Sequence, residues 1–353
     1  MSSRADRLAA SVADKGLDAL LITNMPNVRW ATGFTGTNGI ALVGPEIRLF
    51  FTDFRYVEQA AEQVPDYEHR RAGRDLLSDV ADCLQGRTGF EDQWMSVRAH
   101  GRLQEAVNGR AELVGGSGIV EALREVKEPQ EIEAMRAAAQ LADQAYQELA
   151  DAGIAGRTEA QIAATLEVRM RELGAEDRSF PAIVASGAHG ALPHAVPRDL
   201  PVERDTLMII DMGCVVDGYC SDCTRTFATG SISDDARAIY DLVSRAQLAG
   251  LEAVRAGADC RAVDAVARDL IDAAGHGEEY GHGLGHGVGL EIHEGPRLAQ
   301  TASGSLHAGN TVSVEPGVYL PGRLGVRIED LVAVTDDGCD ILTGFTKELV
   351  TLD

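Results

Sequence analysis

Asp211 closes a run of four apolar residues, Leu207 to Ile210, in a segment that reads as a buried strand. Glu315 follows Thr311-Val-Ser-Val, and Glu329 lies in Gly325-Val-Arg-Ile-Glu-Asp-Leu-Val-Ala-Val with apolar residues on both sides. An unpaired charge in such a strand is very costly, so each acid must meet a base, a proton or a metal ion. Arg225 and Arg327 are the nearby bases. The acids outnumber them and fall into two matched pairs. Asp222 follows Asp211 after eleven residues, and Glu329 follows Glu315 after fourteen. That pattern favours bound cations over ion pairing alone.

Seven of the nine histidines lie between 189 and 307. The densest stretch runs Tyr280-Gly-His282-Gly-Leu-Gly-His286-Gly-Val-Gly-Leu-Glu-Ile-His293-Glu294. His282 and His286 have the i, i+4 spacing that could ligate one ion from a helix, but the five glycines from 281 to 289 oppose a helix there. They suit a tight backbone that brings imidazoles close to a site. Neither G-x-G-x-x-G nor H-E-x-x-H is present in this run. Four carboxylates with an imidazole make a mostly hard, oxygen-rich donor set. It suits Mn²⁺, Co²⁺, Fe²⁺ or Zn²⁺ in a carboxylate-bridged pair better than a lone tetrahedral zinc. Two ions about 3.5–4 Å apart can share a water, lower its pKa and polarise a carbonyl, which is hydrolytic chemistry.

The elements that must position these residues read as an α/β (α+β) chain of two domains. Leu17–Thr23, Val28–Thr32, Ile40–Val43 and Ile47–Thr52 read as strands, with helices at Ala5–Lys15 and Arg55–Gln63. A boundary falls near the turn-like Gly115-Gly116-Ser117-Gly118 and the segment leading to Pro129, dividing the chain into 1–125 and 126–353. Beyond it, Ile132, Met135, Ala139, Ala142, Tyr146 and Leu149 mark one buried helix face. Thr158 caps a second helix with Ile162, Leu166, Met170 and Leu173 inward, and further helices are expected at 233–256 and 261–274. The strands 206–213 and 311–317 resemble one another, suggesting an internal duplication about 100 residues apart.

Composition removes several classes of function. Fifty-five acidic against 32 basic residues give a net charge of −23, which repels nucleic acid. Apolar runs are too short to cross a bilayer, and the N-terminus has no signal-peptide pattern, so the expectation is a cytoplasmic protein without membrane partners. Cys220 and Cys223 form a C-x-x-C pair, but no second pair or suitably spaced histidines complete a zinc site.

Taken together, D-x-G and S-D-x-T-R-T within Thr206–Thr226, the glycine–histidine run, E-P-G-V-Y and V-R-I-E-D resemble the aminopeptidase P/prolidase branch of the pita-bread metallopeptidases. Lys127–Arg136 resembles the segment leading into that family's catalytic domain, and Asn24–Val43 its creatinase-like N-terminal domain. The resemblance implies a pita-bread domain with a pseudo-twofold repeat, and hydrolysis of the bond between an N-terminal residue and proline. It implies two divalent ions per subunit, Mn foremost with Co, Zn or Fe as alternatives, held by Asp211, Asp222, His286, Glu315 and Glu329. Glu315 resembles the general base, and His194 and His293 the substrate-side histidines. His282 and Arg297 correspond to residues near the substrate, Arg297 to one beside its C-terminal carboxylate. Arg327, two residues before Glu329, is read as a tether for the ligating carboxylates. A shallow wall of His194, His293 and Tyr219 or Tyr319 is expected to accept the proline ring. Partners would be short proline-containing peptides and a second copy of the chain in a homodimer.

Three alternatives frame this reading. Methionine aminopeptidase shares the catalytic fold but lacks an N-terminal domain of this kind. Creatinase lacks the metal ligands, and a non-enzymatic peptide-binding module on the same fold would be expected to have lost them. Within the branch, the short N-terminal domain and Arg297 lean toward a dipeptidase over an aminopeptidase P acting on longer peptides.

Overall fold

The computed structural model describes residues 3–352, which form two compact units, one up to Arg124 and one from Glu125. The first unit is a six-stranded mixed sheet. Its spatial order is Glu68–Arg71, Ile47–Thr52, Gly39–Gly44, Ala19–Ile22, Gly86–Phe90 and Ala111–Gly115. Leu21, Leu42, Phe51, Val80 and Leu103 fill its core between sheet and helices. The expected strand at Val28–Thr32 is instead helical, within Met25–Thr32. Two β-branched residues suggested a strand. The Asn24-Met-Pro start and Gly33, left-handed at φ 80°, decide for a short helix, with Val28 and Trp30 turned inward.

The second unit repeats one motif, a helix pair packed on a hairpin. Helices Pro129–Ala152 and Glu159–Glu172 share a core with Met208, Ile210, Met212, Cys223 and Phe227. Helices Asp234–Ala253 and Cys260–Ala273 share another with Val312, Val314, Val326 and Val332. Each helix starts from a recognisable cap. The Thr158 hydroxyl accepts from Gln161 N, and Ser233 and Asp259 accept likewise three residues on. Leu173, expected inward, is the C-cap residue and only partly buried. This is the mixed α/β pita-bread architecture with an internal repeat. No helix among the described residues is long and apolar enough to cross a membrane.

Strand phase explains where the acids go. Met208, Ile210 and Met212 face the first helix pair, so Asp211 projects from the other face of the same strand. Val312 and Val314 face the second pair, so Ser313 and Glu315 project away from it. Register then carries the remaining residues onto the same faces. Asp211 pairs with Thr224 and Met212 with Cys223, and Val215↔Cys220 continues the hairpin without a slip. In the second hairpin Val314 pairs with Asp330 and Gly317 with Arg327, which sets Glu315 opposite Glu329.

This register corrects the expected matching of the acid pairs. Continuing it sets Asp222 opposite Gly213, whereas Arg327 is the residue opposite the corresponding Gly317. The place of Glu329 corresponds to Thr224, not to Asp222. The hairpins repeat, but their second acids are two residues out of step, so the centre is asymmetric.

Candidate metal centre

Carboxylate oxygens of Asp211, Asp222 and Glu329 lie within 4.8 Å of one another, and all three residues are buried. His286 Nε2 lies 3.7 Å from Asp222 Oδ2 and 3.3 Å from Glu315 Oε1, which joins the remaining two residues to the cluster. The five residues expected to hold metal are therefore contiguous in space.

Their neutralisation is incomplete. Arg327 Nη2 donates to Asp211 Oδ2 at 2.7 Å. Arg225, the other candidate base, stands opposite Ile210 and so faces the helix side. There it binds Asp330 and the carbonyls of Phe345 and Thr346. One guanidinium thus serves four carboxylates. Burial, and then the charges of Glu329, Asp211 and Glu315, push the Asp222 carboxyl well above the usual range. Burial, then Glu315 and Asp211, do the same to Glu329, and burial raises Glu315. Asp211 Oδ1 and Glu329 Oε1 are buried without a hydrogen-bond partner. A buried acceptor left unsatisfied costs roughly 1–3 kcal/mol or more if charged. Buried oxygen donors that repel one another, with one guanidinium among them, must hold either protons or divalent cations, and the two orphaned acceptors fit the cations.

The imidazoles separate by their hydrogen bonds. His286 Nδ1 lies 3.0 Å from Gly287 O, an acceptor, so this nitrogen carries the proton. Burial lowers the His286 pKa, which keeps the ring neutral and leaves the Nε2 lone pair toward Asp222 and Glu315. His282 has the same tautomer, with Nδ1 2.8 Å from Gly283 O. Its Nε2 lone pair is taken by the Tyr319 hydroxyl at 2.9 Å, and that hydroxyl accepts from Arg327 Nη1 at 2.8 Å. His286 is the ring with a free donor atom at the cluster. The glycines beside it permit close approach. A Cβ on Gly285 would lie 1.9 Å from Ser313 O, and one on Gly287 2.0 Å from Gly295 O.

Two small polar residues, missed from the sequence, hold the carboxylates. Thr224 Oγ1 donates to Glu329 Oε2 at 2.9 Å and accepts from Arg327 Nε at 3.0 Å. Ser313 Oγ donates to Glu315 Oε1 and accepts from His286 N, each at 3.0 Å. Both were legible as polar residues two positions from an acid on an apolar strand, hence on its face. Arg327 was expected to tether the carboxylates. It binds Asp211 across the two hairpins and reaches Glu329 only through Thr224.

The substrate-side candidates lie outside this cage. The His293 ring packs edge-on to His286 with centroids 4.4 Å apart. His194 is exposed in the loop after Gly187–Ala191, close enough to depress the His293 pKa, though burial and His286 act more strongly. Arg297 is exposed and is the Cα partner of His286, so it shares that face of the sheet; it makes no ion pair among the described residues. Of the two tyrosines considered for the wall, Tyr319 touches Arg327 and His282, whereas Tyr219 is buried against Glu131.

A creatinase-like α/β unit followed by a pita-bread unit with a carboxylate-rich centre defines a class of metal-dependent hydrolase. Residues 133–336 match metallopeptidase family M24, and residues 4–126 match the creatinase/prolidase N-terminal domain. The chain belongs to metallopeptidase family M24. A solved Xaa-Pro dipeptidase from Bacillus anthracis is similar at 40% identity, covering 99% of each chain with a TM-score of 0.96. An X-Pro aminopeptidase from Thermotoga maritima is similar at 36% identity, over 99% of this chain and 100% of that one, with a TM-score of 0.90. The Xaa-Pro dipeptidase of Pyrococcus furiosus is 33% identical over 99% of this chain and 100% of its own length.

Proposed function

We propose that this protein is an Xaa-Pro dipeptidase whose two divalent ions are held by Asp211, Asp222, His286, Glu315 and Glu329, with manganese as the native metal. The observation that carries the proposal is the buried carboxylate cluster with two orphaned oxygens and a neutral imidazole lone pair beside it. Relatives named as Xaa-Pro dipeptidases, similar over nearly the whole chain, support the substrate. The working form is a cytoplasmic homodimer.

Bound divalent ions would acidify a water and polarise the scissile carbonyl. The chain's own residues do the rest. Glu315 takes the proton of the attacking water, a role its raised pKa suits, and passes it toward the departing proline nitrogen. His293, its pKa lowered by partial burial and the His286 imidazole beside it, donates a hydrogen bond to the oxyanion that develops. His194 contacts the substrate from the facing loop. An Xaa-Pro bond has no N–H to grip, so orientation must come from such contacts and from the peptide's charged ends.

Arg297 is the group for the C-terminal carboxylate, since it shares the face of His286 and has no carboxylate partner among the described residues. Losing a charge-assisted contact costs about 1.5–3 kcal/mol, so Arg297→Leu should raise KM for Ala-Pro by roughly 10- to 100-fold with kcat little changed. An unchanged KM removes Arg297 from the site.

The similarity to an X-Pro aminopeptidase keeps a second reading in view, an enzyme for longer peptides. Comparing Ala-Pro with Ala-Pro-Ala under added Mn²⁺ separates the two. A dipeptidase should favour Ala-Pro by at least about tenfold in kcat/KM, because the tripeptide moves its carboxylate away from Arg297. Equal or better turnover of Ala-Pro-Ala assigns the enzyme to the aminopeptidase class.

A further inference from the structure

Glu159 opens the helix Glu159–Glu172 and is fully buried. Its Oε1 accepts from Ser186 N at 2.9 Å, Ser186 Oγ at 3.0 Å and Arg198 Nη2 at 2.8 Å. Its Oε2 faces His189 Nδ1 at 2.9 Å and accepts from Arg198 N at 3.1 Å and Nε at 3.0 Å. Burial alone would raise this carboxyl. The bonds from Arg198 and Ser186 outweigh it and hold the pKa at about 2. A helix dipole welcomes an acid in the first turn, which accounts for the residue type but not for donors from three separate positions.

Those positions are informative. Ser186 and Arg198 bracket one loop, and His189 lies inside it. That loop carries His194, which makes no hydrogen bond among the described residues. Leu192 and Val196, near His194, are 56% and 79% exposed, and of the residues from 192 to 196 Ala195 alone is buried, so few side chains anchor the tip. Before His194 in the loop, Gly190 packs on Gly325, and Pro193 O accepts from Arg327 Nη1 at 3.3 Å. The same guanidinium holds Asp211. The loop is therefore fixed at its two ends by Glu159 and at its middle by the arginine of the metal centre.

We propose that Glu159 is a positioning residue, which clamps both ends of the 186–198 loop so that His194 stands at a fixed distance from the substrate. This rests on the reading of His194 as a substrate contact. A ring without a partner of its own is only as well placed as the backbone beneath it. Glu159 supplies that placement from the side of the loop away from the chemistry, touching neither metal nor peptide.

The test uses the full-length, Mn²⁺-loaded protein with Ala-Pro as substrate. Glu159→Gln keeps the shape but cannot receive the Arg198 fork on two anionic oxygens. Amide exchange across 187–197 should quicken by about tenfold or more, with exchange in Leu207–Met212 unchanged. KM should rise about tenfold, with kcat within about threefold and bound metal unaltered. Arg198→Met, which leaves the Ser186 bonds in place, should move both readouts the same way by less. It carries the test if Glu159→Gln does not fold. His194→Ala should raise KM on its own, and adding Glu159→Gln to it should raise KM no further, because two residues acting through one contact are not additive. Unchanged loop exchange, a uniform rise that includes Leu207–Met212, or additive losses would each overturn the clamp while leaving His194 in its role. If His194→Ala alone leaves KM unchanged, the substrate role of His194 falls, and the proposal that Glu159 serves it falls too.

Discussion

Replacing Glu315 with Gln should lower kcat for Ala-Pro by about 10³-fold, within the range that a positioned acid or base contributes. Glutamine preserves the volume and one oxygen donor, so Ser313 Oγ keeps its acceptor and His286 keeps its neighbour. What it removes is the ability to take a proton. Glu315 is suited to that task because burial raises its carboxyl, and the charge of Asp211 acts in the same direction. The same substitution removes one of four mutually repelling carboxylates, so the metal-free variant should melt no lower than the parent. Steady-state kinetics, metal content and a thermal melt of the stripped protein check the three parts. A variant that keeps its metal and most of its activity shows that another group is the base. A variant whose activity returns on raising Mn²⁺ shows that the loss lay in metal binding.

The carboxylate centre was legible because its cost is local. An acid flanked by apolar strand residues must be explained wherever the strand lies, and the period of two tells which neighbours share its face. Thr224 and Ser313 obey the same rule and could have been found by it. The choice between His282 and His286 was not legible. It turns on Tyr319, 37 residues from His282, occupying one ring nitrogen and leaving the other ring free. The misread helix at Met25–Thr32 failed differently. Its β-branched residues argue for a strand, while the Pro and Gly that bound it argue for a helix, and burial of Val28 and Trp30 settles the matter. The Glu159 clamp joins residues 27 to 39 positions apart, so nothing in the local pattern reveals it.

The asymmetry of the two hairpins has a chemical consequence. A perfect repeat would put a second acid at 327, opposite Gly317. The chain has arginine there, and that arginine crosses to Asp211 in the other hairpin. It also holds Tyr319, which occupies His282 Nε2, and Pro193 O in the His194 loop. Arg327, standing where a perfect repeat would place an acid, thus links a carboxylate of the candidate centre, Tyr319 and the loop that carries His194.

Metal removal should destabilise the protein, and by more at pH 8 than at pH 5. Burial, reinforced by neighbouring carboxylates, holds Asp222 and Glu329 well above the ordinary carboxylate range, and burial raises Glu315. Above that ordinary range the unfolded chain has released protons that the stripped, folded protein still holds. The folded state then binds more protons than the unfolded one, and stability falls as pH rises through the raised values. Each retained proton is worth about 1.4 kcal/mol per pH unit. Divalent ions replace those protons, so they compete with them at pH 5 and meet bare carboxylates at pH 8. At a metal concentration of about 100 Kd the stabilisation is roughly 2.7 kcal/mol, which raises Tm by roughly 5–10 °C for a unit of this size. Glu159, held at about 2, acts in the opposite sense: its stability is lost only as pH falls toward that value, outside this window. Other acids with raised pKa values, such as buried Glu91 and half-buried Asp143, tilt the stripped protein the same way as the centre. Asp222→Asn isolates the centre's share. It should raise Tm of the stripped protein at pH 8, leave it nearly unchanged at pH 5, and weaken the Mn²⁺-induced shift. Calorimetry with chelator or Mn²⁺ at both pH values decides. Equal metal-induced shifts at pH 5 and 8, or a stripped Asp222→Asn protein less stable than its parent at pH 8, would mean that the carboxylates are neutralised within the chain and the orphaned oxygens do not await a cation.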